Sequence, residues 1–169
     1  MIAIACVDKN NGIGKDGKLL VSIPEDLKWF KDCTLNSVVI MGRKTLFSHK
    51  DKKPFTNRIN IVFTRDKSLK NNYKEYDNIF FIDNESELND LLSQYKDKKV
   101  FLIGGGEIYK KFIDKCDEIY LTRVDKEFEA DTFFPDFSKL NFKIYDISDI
   151  YYYNNIPYQF IKYKREEDD

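Results

Sequence analysis

The chain has 169 residues, 42% of them hydrophobic and 34% charged, and a net charge of −1. That is one domain of foldable sequence rather than a disordered segment, and the near-zero charge argues against a binder of nucleic acid or anionic membranes. Three scattered cysteines and a single histidine follow no disulfide or metal spacing, and a zinc site or histidine-based triad is very hard to assemble from them.

Chemistry must therefore rest on carboxylates, hydroxyls, backbone groups or a borrowed cofactor, with no metal. No apolar run approaches membrane-spanning length, and "MIAIACVDKN" lacks a basic start ahead of a secretory segment, so a cytoplasmic protein is the expectation.

In chain order, "MIAIACV" reads as an apolar opening strand, followed by "DKNNGIGKDGK" as a loop. "SIPEDLKWFKDCTL" reads as a helix, with Ser22 as cap, Pro24 in the first turn and acids after it. "SVVIMGRKT" is a buried strand running into a helix start, and "RINIVFTRD" and "NIFFI" are further strands. Asn84 caps "ESELNDLLSQY", whose Leu88, Leu91, Leu92 and Tyr95 form a helical stripe.

"KVFLIGGGEIYKKF" takes a strand through three glycines into a helix with Ile108, Phe112 and Ile113 at helical spacing, and "EIYLTRV" is the next strand. "NFKIYDISDIYYY", the turn "NNIP" and "YQFIKYKRE" read as two long antiparallel strands at one edge. Strands alternating with short helices predict an α/β fold with a largely parallel, covered sheet, as one domain over residues 1–165 with a frayed tail at 166–169.

Four places carry candidate chemistry. Three glycines at the strand–helix junction exceed what a turn needs, which points to backbone N–H groups of Gly105 and Gly106 facing a pyrophosphate. "MGRKT" puts Arg43 and Lys44 at a helix start, where two cations conflict with the local dipole unless an anion sits between them. Thr64 and Arg65 fall where a strand ends, the edge along which open α/β sheets place ligands; an arginine there suits a 2′-phosphate. Asp26 shares a helix face with Phe30 and Cys33, beside Leu27, and a carboxylate among apolar groups should have a raised pKa. His49 reads as an ordinary exposed residue, and Tyr151, Tyr152 and Tyr153 as strand packing rather than a nucleic-acid platform.

Assembled in order, "GIGKDGKL", "IPEDLKWFKDCTL", "VVIMGRKT", "NRINIVFTR", "VFLIGGGEIY", "IYLTRVD" and "EADTFFPDF" resemble dihydrofolate reductases over nearly the whole chain. The resemblance implies a central eight-stranded, mostly parallel sheet flanked by about four helices, ending in an antiparallel hairpin. It implies a monomer that reduces 7,8-dihydrofolate with NADPH as cofactor. Asp26 would bind the pterin and promote N5 protonation, with Thr122 hydrogen-bonded to it. Ile4, Cys6, Leu27, Phe30, Phe55 and Ile103 would form the slot, and Arg58 would clamp the α-carboxylate of the glutamate tail.

On the cofactor side the resemblance implies Cys6, Ile103, Gly42, Arg43, Lys44 and Thr45, then Thr64 with Arg65 for the 2′-phosphate. It adds Gly105, Gly106, Glu107, Ile108 and Tyr109, with a cis bond between Gly104 and Gly105. A loop around Ile13, Gly14, Lys18 and Leu19 would close over the nicotinamide.

The sequence also departs from the family pattern. Leu20 and Val21 stand where a Pro-Trp pair is usual, which leaves space beside the pterin and removes an N–H donor; slower chemistry, altered substrate affinity or compensation from Phe30 or Phe55 is expected. "PFTNR" replaces the common Leu-Pro before Asn-Arg, and residues 46 to 53 are atypical. Two other readings stay open here: a related reductase acting on a ribosylamino-pyrimidine, and a cofactor-binding module without turnover.

Overall fold

The computed structural model describes residues 1–166. The chain forms β1 (Ile2–Val7), β2 (Gly12–Lys15), β3 (Lys18–Leu19), α1 (Pro24–Thr34), β4 (Val38–Gly42) and α2 (Arg43–Ser48). There follow β5 (Ile59–Phe63), β6 (Ile79–Ile82), α3 (Glu85–Leu92), β7 (Val100–Gly104), α4 (Gly106–Phe112) and β8 (Glu118–Val124). The last elements are β9 (Thr132–Phe133), β10 (Phe142–Ile147), β11 (Tyr151–Tyr153) and β12 (Ile156–Arg165).

The main sheet runs β10-β12-β8-β1-β7-β4-β5-β6, with β11 also paired to β12. Every pair from β8 to β6 is parallel, and β12 is antiparallel to β8, β10 and β11. This is the mixed, mostly parallel sheet with four helices and a terminal antiparallel hairpin that the sequence leads one to expect. Strands such as "VVIM" are apolar throughout because both faces are covered. Val38 and Ile40 of β4 join Ala3, Leu102, Leu121, Leu88 and Phe112 on one face, reached by α3 and α4. Their neighbours Val39 and Met41 join Ile4, Phe101 and Tyr120 on the other, packed by Trp29, Phe30 and Cys33 of α1 and by Leu46 and Phe47 of α2. The period of two along one strand thus assigns each helix pair its face. Trp29, the one tryptophan of the chain, lies with its ring 4.6 Å from that of Phe160 and 6.1 Å from that of Tyr120.

Local structure corrects the sequence reading in three places. The N-cap of α1 is Ile23, not Ser22: Pro24 brings no N–H, and those of Asp26 and Leu27 go to the Ile23 carbonyl at 3.0 and 3.1 Å, so no side-chain cap forms. The stretch read as a loop after β1 contains a hairpin, β2–β3, turning at Asp16 and Gly17 (φ 51° and 76°) and pairing with β9 in a second small sheet. The first terminal strand is split at Ser148–Ile150 into β10 and β11, and the turn is Asn154–Asn155 (φ 50° and 64°), which leaves Pro157 inside β12.

Asn84 caps α3 as expected, accepting from the Glu87 N–H at 2.9 Å. Of the expected tail, residues 167–169 lie outside the described residues; Glu166 exchanges hydrogen bonds with Asn141, 3.0 Å through its N–H and 2.8 Å through its carbonyl. Among the described residues no helix is long and apolar enough to cross a membrane.

Candidate active site

Asp26 lies in the first turn of α1 and points at the sheet rather than at solvent. Thr122, on β8 and fully buried, donates its hydroxyl to Asp26 Oδ1. Thr122 stands opposite Cys6 of β1 in the parallel ladder, and the Cys6 thiol is a second hydrogen-bonding neighbour of Asp26. Burial lifts the Asp26 carboxyl above its ordinary range, and the bonds from Thr122 and Cys6 pull it partly back. The Cys6 thiol is pushed well up, first by burial and then by the Asp26 charge beside it, so it stays a neutral donor.

One turn further along α1 the surroundings of the helix become aromatic. Ile4, Phe30, Phe55 and Ile103 share one apolar cluster, with Phe30 and Phe55 edge to face at 5.8 Å between ring centroids. Leu27 is 42% exposed at its rim.

Arg58 closes the far end. It is buried, yet forms no ion pair among the described residues. Nε donates to Thr34 Oγ1 at 3.0 Å, Nη1 to the Thr56 carbonyl at 2.6 Å and Nη2 to the Lys31 carbonyl at 2.6 Å. These bonds use three of the five guanidinium donors and leave one N–H on each terminal nitrogen, a fixed fork for a carboxylate. Because Lys31 and Thr34 follow Asp26 on the same helix, Arg58 is anchored roughly 10 Å from Asp26 along α1, at about 1.5 Å per residue.

His49 differs from the sequence reading. It is half-buried, its ring stacks on Phe55 at 3.8 Å and 18°, and Nδ1 lies 2.7 Å from the Lys53 carbonyl, which can only accept. The contact arises because residues 50–54 fold back after α2, and no local pattern announces it.

The second half of the site is the edge where β7, β4 and β5 end. Met41 is in register with Gly104, and Gly42 with Phe63, so Gly42, Thr64 and Gly105 emerge side by side. Arg43, Lys44 and Arg65 are exposed there and make no ion pair among the described residues; Arg43 lies over the Phe47 ring at 5.9 Å. The Gly104–Gly105 bond is cis. At Gly104 φ is 118°, which calls for glycine. Gly105 has φ −85°, and an added Cβ would meet nothing nearer than Thr45 Oγ1 at 3.9 Å. No residue beyond its chain neighbours crowds position 105 among the described residues, and the open face in front of it, flanked by unpaired cations, fits a phosphorylated cofactor.

Gly106 differs, since a Cβ there would lie 2.9 Å from Thr132 Cγ2. Glu107 is exposed in the first turn of α4, whereas Ile108 and Tyr109 are buried; the Tyr109 hydroxyl donates to the Ile4 carbonyl at 2.6 Å.

The β2–β3 hairpin carries Ile13, Gly14, Lys18 and Leu19 beside these two halves. Leu19 is 67% exposed, a large apolar side chain without cover. Between the hairpin and β1 lies a cavity of about 10 Å³ lined by Cys6, Asp8, Ile13, Leu20 and Val21, enough for one water. Val21 packs against the cluster of Ile23, Val124 and Tyr158, whereas Phe30 and Phe55 meet edge to face in another cluster. Among the described residues no three His, Cys, Asp or Glu side chains gather as a metal would need.

Fold and site together define an α/β enzyme with a buried acid, an apolar cluster and an anchored arginine beside one helix, next to a cationic sheet edge. The family model described as dihydrofolate reductase matches residues 1–165. Dihydrofolate reductase from Haemophilus influenzae is 35% identical over 144 residues, covering 85% of this chain and 82% of that protein. The enzyme of the same name from Buchnera aphidicola of Acyrthosiphon pisum is 37% identical over 134 residues, 79% of this chain and 78% of its own. A bifunctional dihydrofolate reductase-thymidylate synthase from Plasmodium chabaudi is 36% identical over 137 residues, but this chain spans only 24% of its length. The chain belongs to the dihydrofolate reductase family.

Proposed function

We propose that this chain reduces 7,8-dihydrofolate to 5,6,7,8-tetrahydrofolate with NADPH, transferring a hydride to the pterin while Asp26 promotes protonation of N5. The observation that carries this reading is the pairing of ends: a buried acid held by Thr122 and an arginine fork roughly 10 Å away along the same helix, with the apolar cluster of Ile4, Phe30, Phe55 and Ile103 beside it. A molecule with a hydrogen-bonding heterocycle at one end and a carboxylate at the other matches both. Asp26 would accept from the pterin amino group and ring N–H as a charge-assisted pair. Ile4, Cys6, Leu27, Phe30, Phe55 and Ile103 would sandwich the rings and exclude water, and Arg58 would take the tail carboxylate.

NADPH, when bound, supplies the hydride. Gly42, Arg43, Lys44 and Thr45 would hold its phosphates, Thr64 and Arg65 the 2′-phosphate, and the backbone at Gly105 and Gly106 would lie against it, with Glu107, Ile108 and Tyr109 supporting that turn. Ile13, Gly14, Lys18 and Leu19 would cover the nicotinamide end, which gives the exposed Leu19 side chain a partner. The chain's own contribution is orientation, dryness and one tuned acid.

The test is loss of NADPH absorbance on adding dihydrofolate, with NADH in parallel and Asp26→Asn as control. NADPH-selective turnover, reduced at least about a hundredfold in the variant, is expected. Undiminished reduction by Asp26→Asn at neutral pH would remove Asp26 from its role; binding of NADPH without turnover would shift the reading to a cofactor-binding module.

A further inference from the structure

Asp8 follows β1 directly, is 3% exposed, and makes no ion pair among the described residues. A carboxylate buried without a cation must be met by hydrogen bonds. Asp8 is met by backbone donors alone. Oδ1 accepts from the N–H of Asn10 at 2.9 Å and of Gly12 at 2.7 Å, and Oδ2 from the N–H of Phe128 at 3.1 Å. The first donor lies in the turn leading into β2 and the second opens β2 itself. The third lies in the connection between β8 and β9, 120 positions away from Asp8. One side chain therefore ties the hairpin carrying Ile13–Leu19 to a distant segment.

Other bonds link the same two segments: Lys9 N–H to the Lys126 carbonyl at 3.1 Å, Phe134 N–H to the Asn11 carbonyl at 2.8 Å, and Asp16 N–H to Asp131 Oδ2 at 2.9 Å. The Asp16 bond is exposed, near the hairpin tip. The Asp8 tie lies at the hairpin's base, on the floor of the site. Asp8 shares the water-sized cavity with Cys6, Ile13 and Val21, and its charge reaches the Cys6 thiol that borders Asp26. The knot also admits no extra atom. A Cβ on Gly12 would stand 2.9 Å from Asp8 Oδ1 and 2.4 Å from Ala130 Cβ, which explains a glycine at a position with no need of positive φ.

We propose that Asp8 is a positioning residue: by holding the Gly12 and Phe128 N–H groups at once, its carboxylate sets the height of the Ile13–Leu19 hairpin over Cys6 and Asp26. Aspartate is required because both oxygens accept. Asparagine keeps one acceptor and turns an NH2 toward a backbone donor, so one side of the tie is lost at constant volume. For its kinetic consequence this inference rests on the reduction proposed above; for the tie itself it does not.

The experiment compares the full chain with Asp8→Asn, Gly12→Ala and the double variant by amide hydrogen exchange, urea unfolding and single-turnover decay of NADPH absorbance with dihydrofolate. In Asp8→Asn, exchange over residues 12–19 and 126–131 should rise about tenfold or more while the α1 amides stay unchanged. Single-turnover decay should slow about tenfold or more, with dihydrofolate affinity held within about twofold. The two substitutions break the same knot, so the double variant should be little worse than the poorer single one.

Unchanged exchange in the hairpin would overturn the proposal. So would a uniform rise in exchange that tracks a lower urea midpoint while the single-turnover rate stays at the wild-type value. If the wild-type chain does not turn over dihydrofolate, the exchange pattern still decides the tie, and the failure belongs to the functional reading.

Discussion

Thr122 and Asp26, 96 positions apart in the chain, are joined by a hydrogen bond from the threonine hydroxyl to the carboxylate, which links α1, carrying Asp26, to β8, carrying Thr122. The bond opposes burial, which raises the Asp26 pKa. The folded chain thus keeps this proton to higher pH than the unfolded chain. Stability falls as pH rises from the ordinary carboxylate range through the raised value, and the full penalty stands above it. Asp26→Asn should gain about 1 kcal/mol at neutral pH, and nothing at pH below the ordinary Asp range, while activity is lost. Urea unfolding at both pH values checks the sign. In Thr122→Val the opposing bond is gone, so a carbon-13 titration of the Asp26 carboxyl should move further upward.

Arg58 is held by three protein acceptors, so its loss has two separable effects. Arg58→Lys cannot reproduce the planar fork and leaves Thr34 Oγ1 and two carbonyls short of donors; about 2–3 kcal/mol of destabilisation is expected. The KM for dihydrofolate should rise about tenfold or more, whereas a dihydropterin lacking the glutamate tail should be reduced as by the wild type. Equal losses with both substrates would show that Arg58 only braces the loop.

Gly105 separates folding from binding on the cofactor side. A Cβ there meets no protein atom closer than 3.9 Å, so Gly105→Ala should leave the urea midpoint nearly unchanged. NADPH affinity should drop about tenfold or more if the backbone is approached as proposed, a difference of about 1.4 kcal/mol. Affinity within error of the wild type would move the cofactor away from this turn.

His49 stacks on the face of Phe55, whose ring also meets Phe30 edge to face. Removing it as His49→Ala should free the Phe55 ring and cost about 1 kcal/mol of dihydrofolate affinity, roughly fivefold in Kd. NADPH affinity should be unaltered. His49→Phe retains the stack and should recover most of the loss, which calorimetric titration of each variant can show.

The elements legible in the sequence were those with long periodic patterns. The apolar strands around Val38–Gly42 and Val100–Gly104, the Asn84 cap and the stripe from Leu88 to Tyr95 each carry their signal locally. Asp26 also stood out, as an acid on an apolar helix face, whereas the place of Arg58 came from the resemblance alone. What the sequence did not disclose depends on partners far along the chain. The β2–β3 hairpin is held by β9, Ser22 was displaced as a cap by the packing of Ile23, and the stack of His49 on Phe55 exists only once residues 50–54 fold back. Asp8 had a faint local cue, an aspartate before Asn-Asn-Gly that invites side-chain turn bonds, but its third donor at Phe128 had none.

The solitary Trp29 sits on α1 one turn from both Asp26 and Cys33, against Phe160 and Tyr120. Tryptophan fluorescence, excited at wavelengths that the eleven tyrosines do not absorb, therefore comes from one emitter, on the helix that carries Asp26. Filling the slot or unlatching the acid end changes the surroundings of that ring, while the cationic sheet edge lies farther off, beyond β1. A change in emission on adding folate analogues, set beside that caused by NADPH, would give the two halves of the site distinct optical signatures without a single added probe.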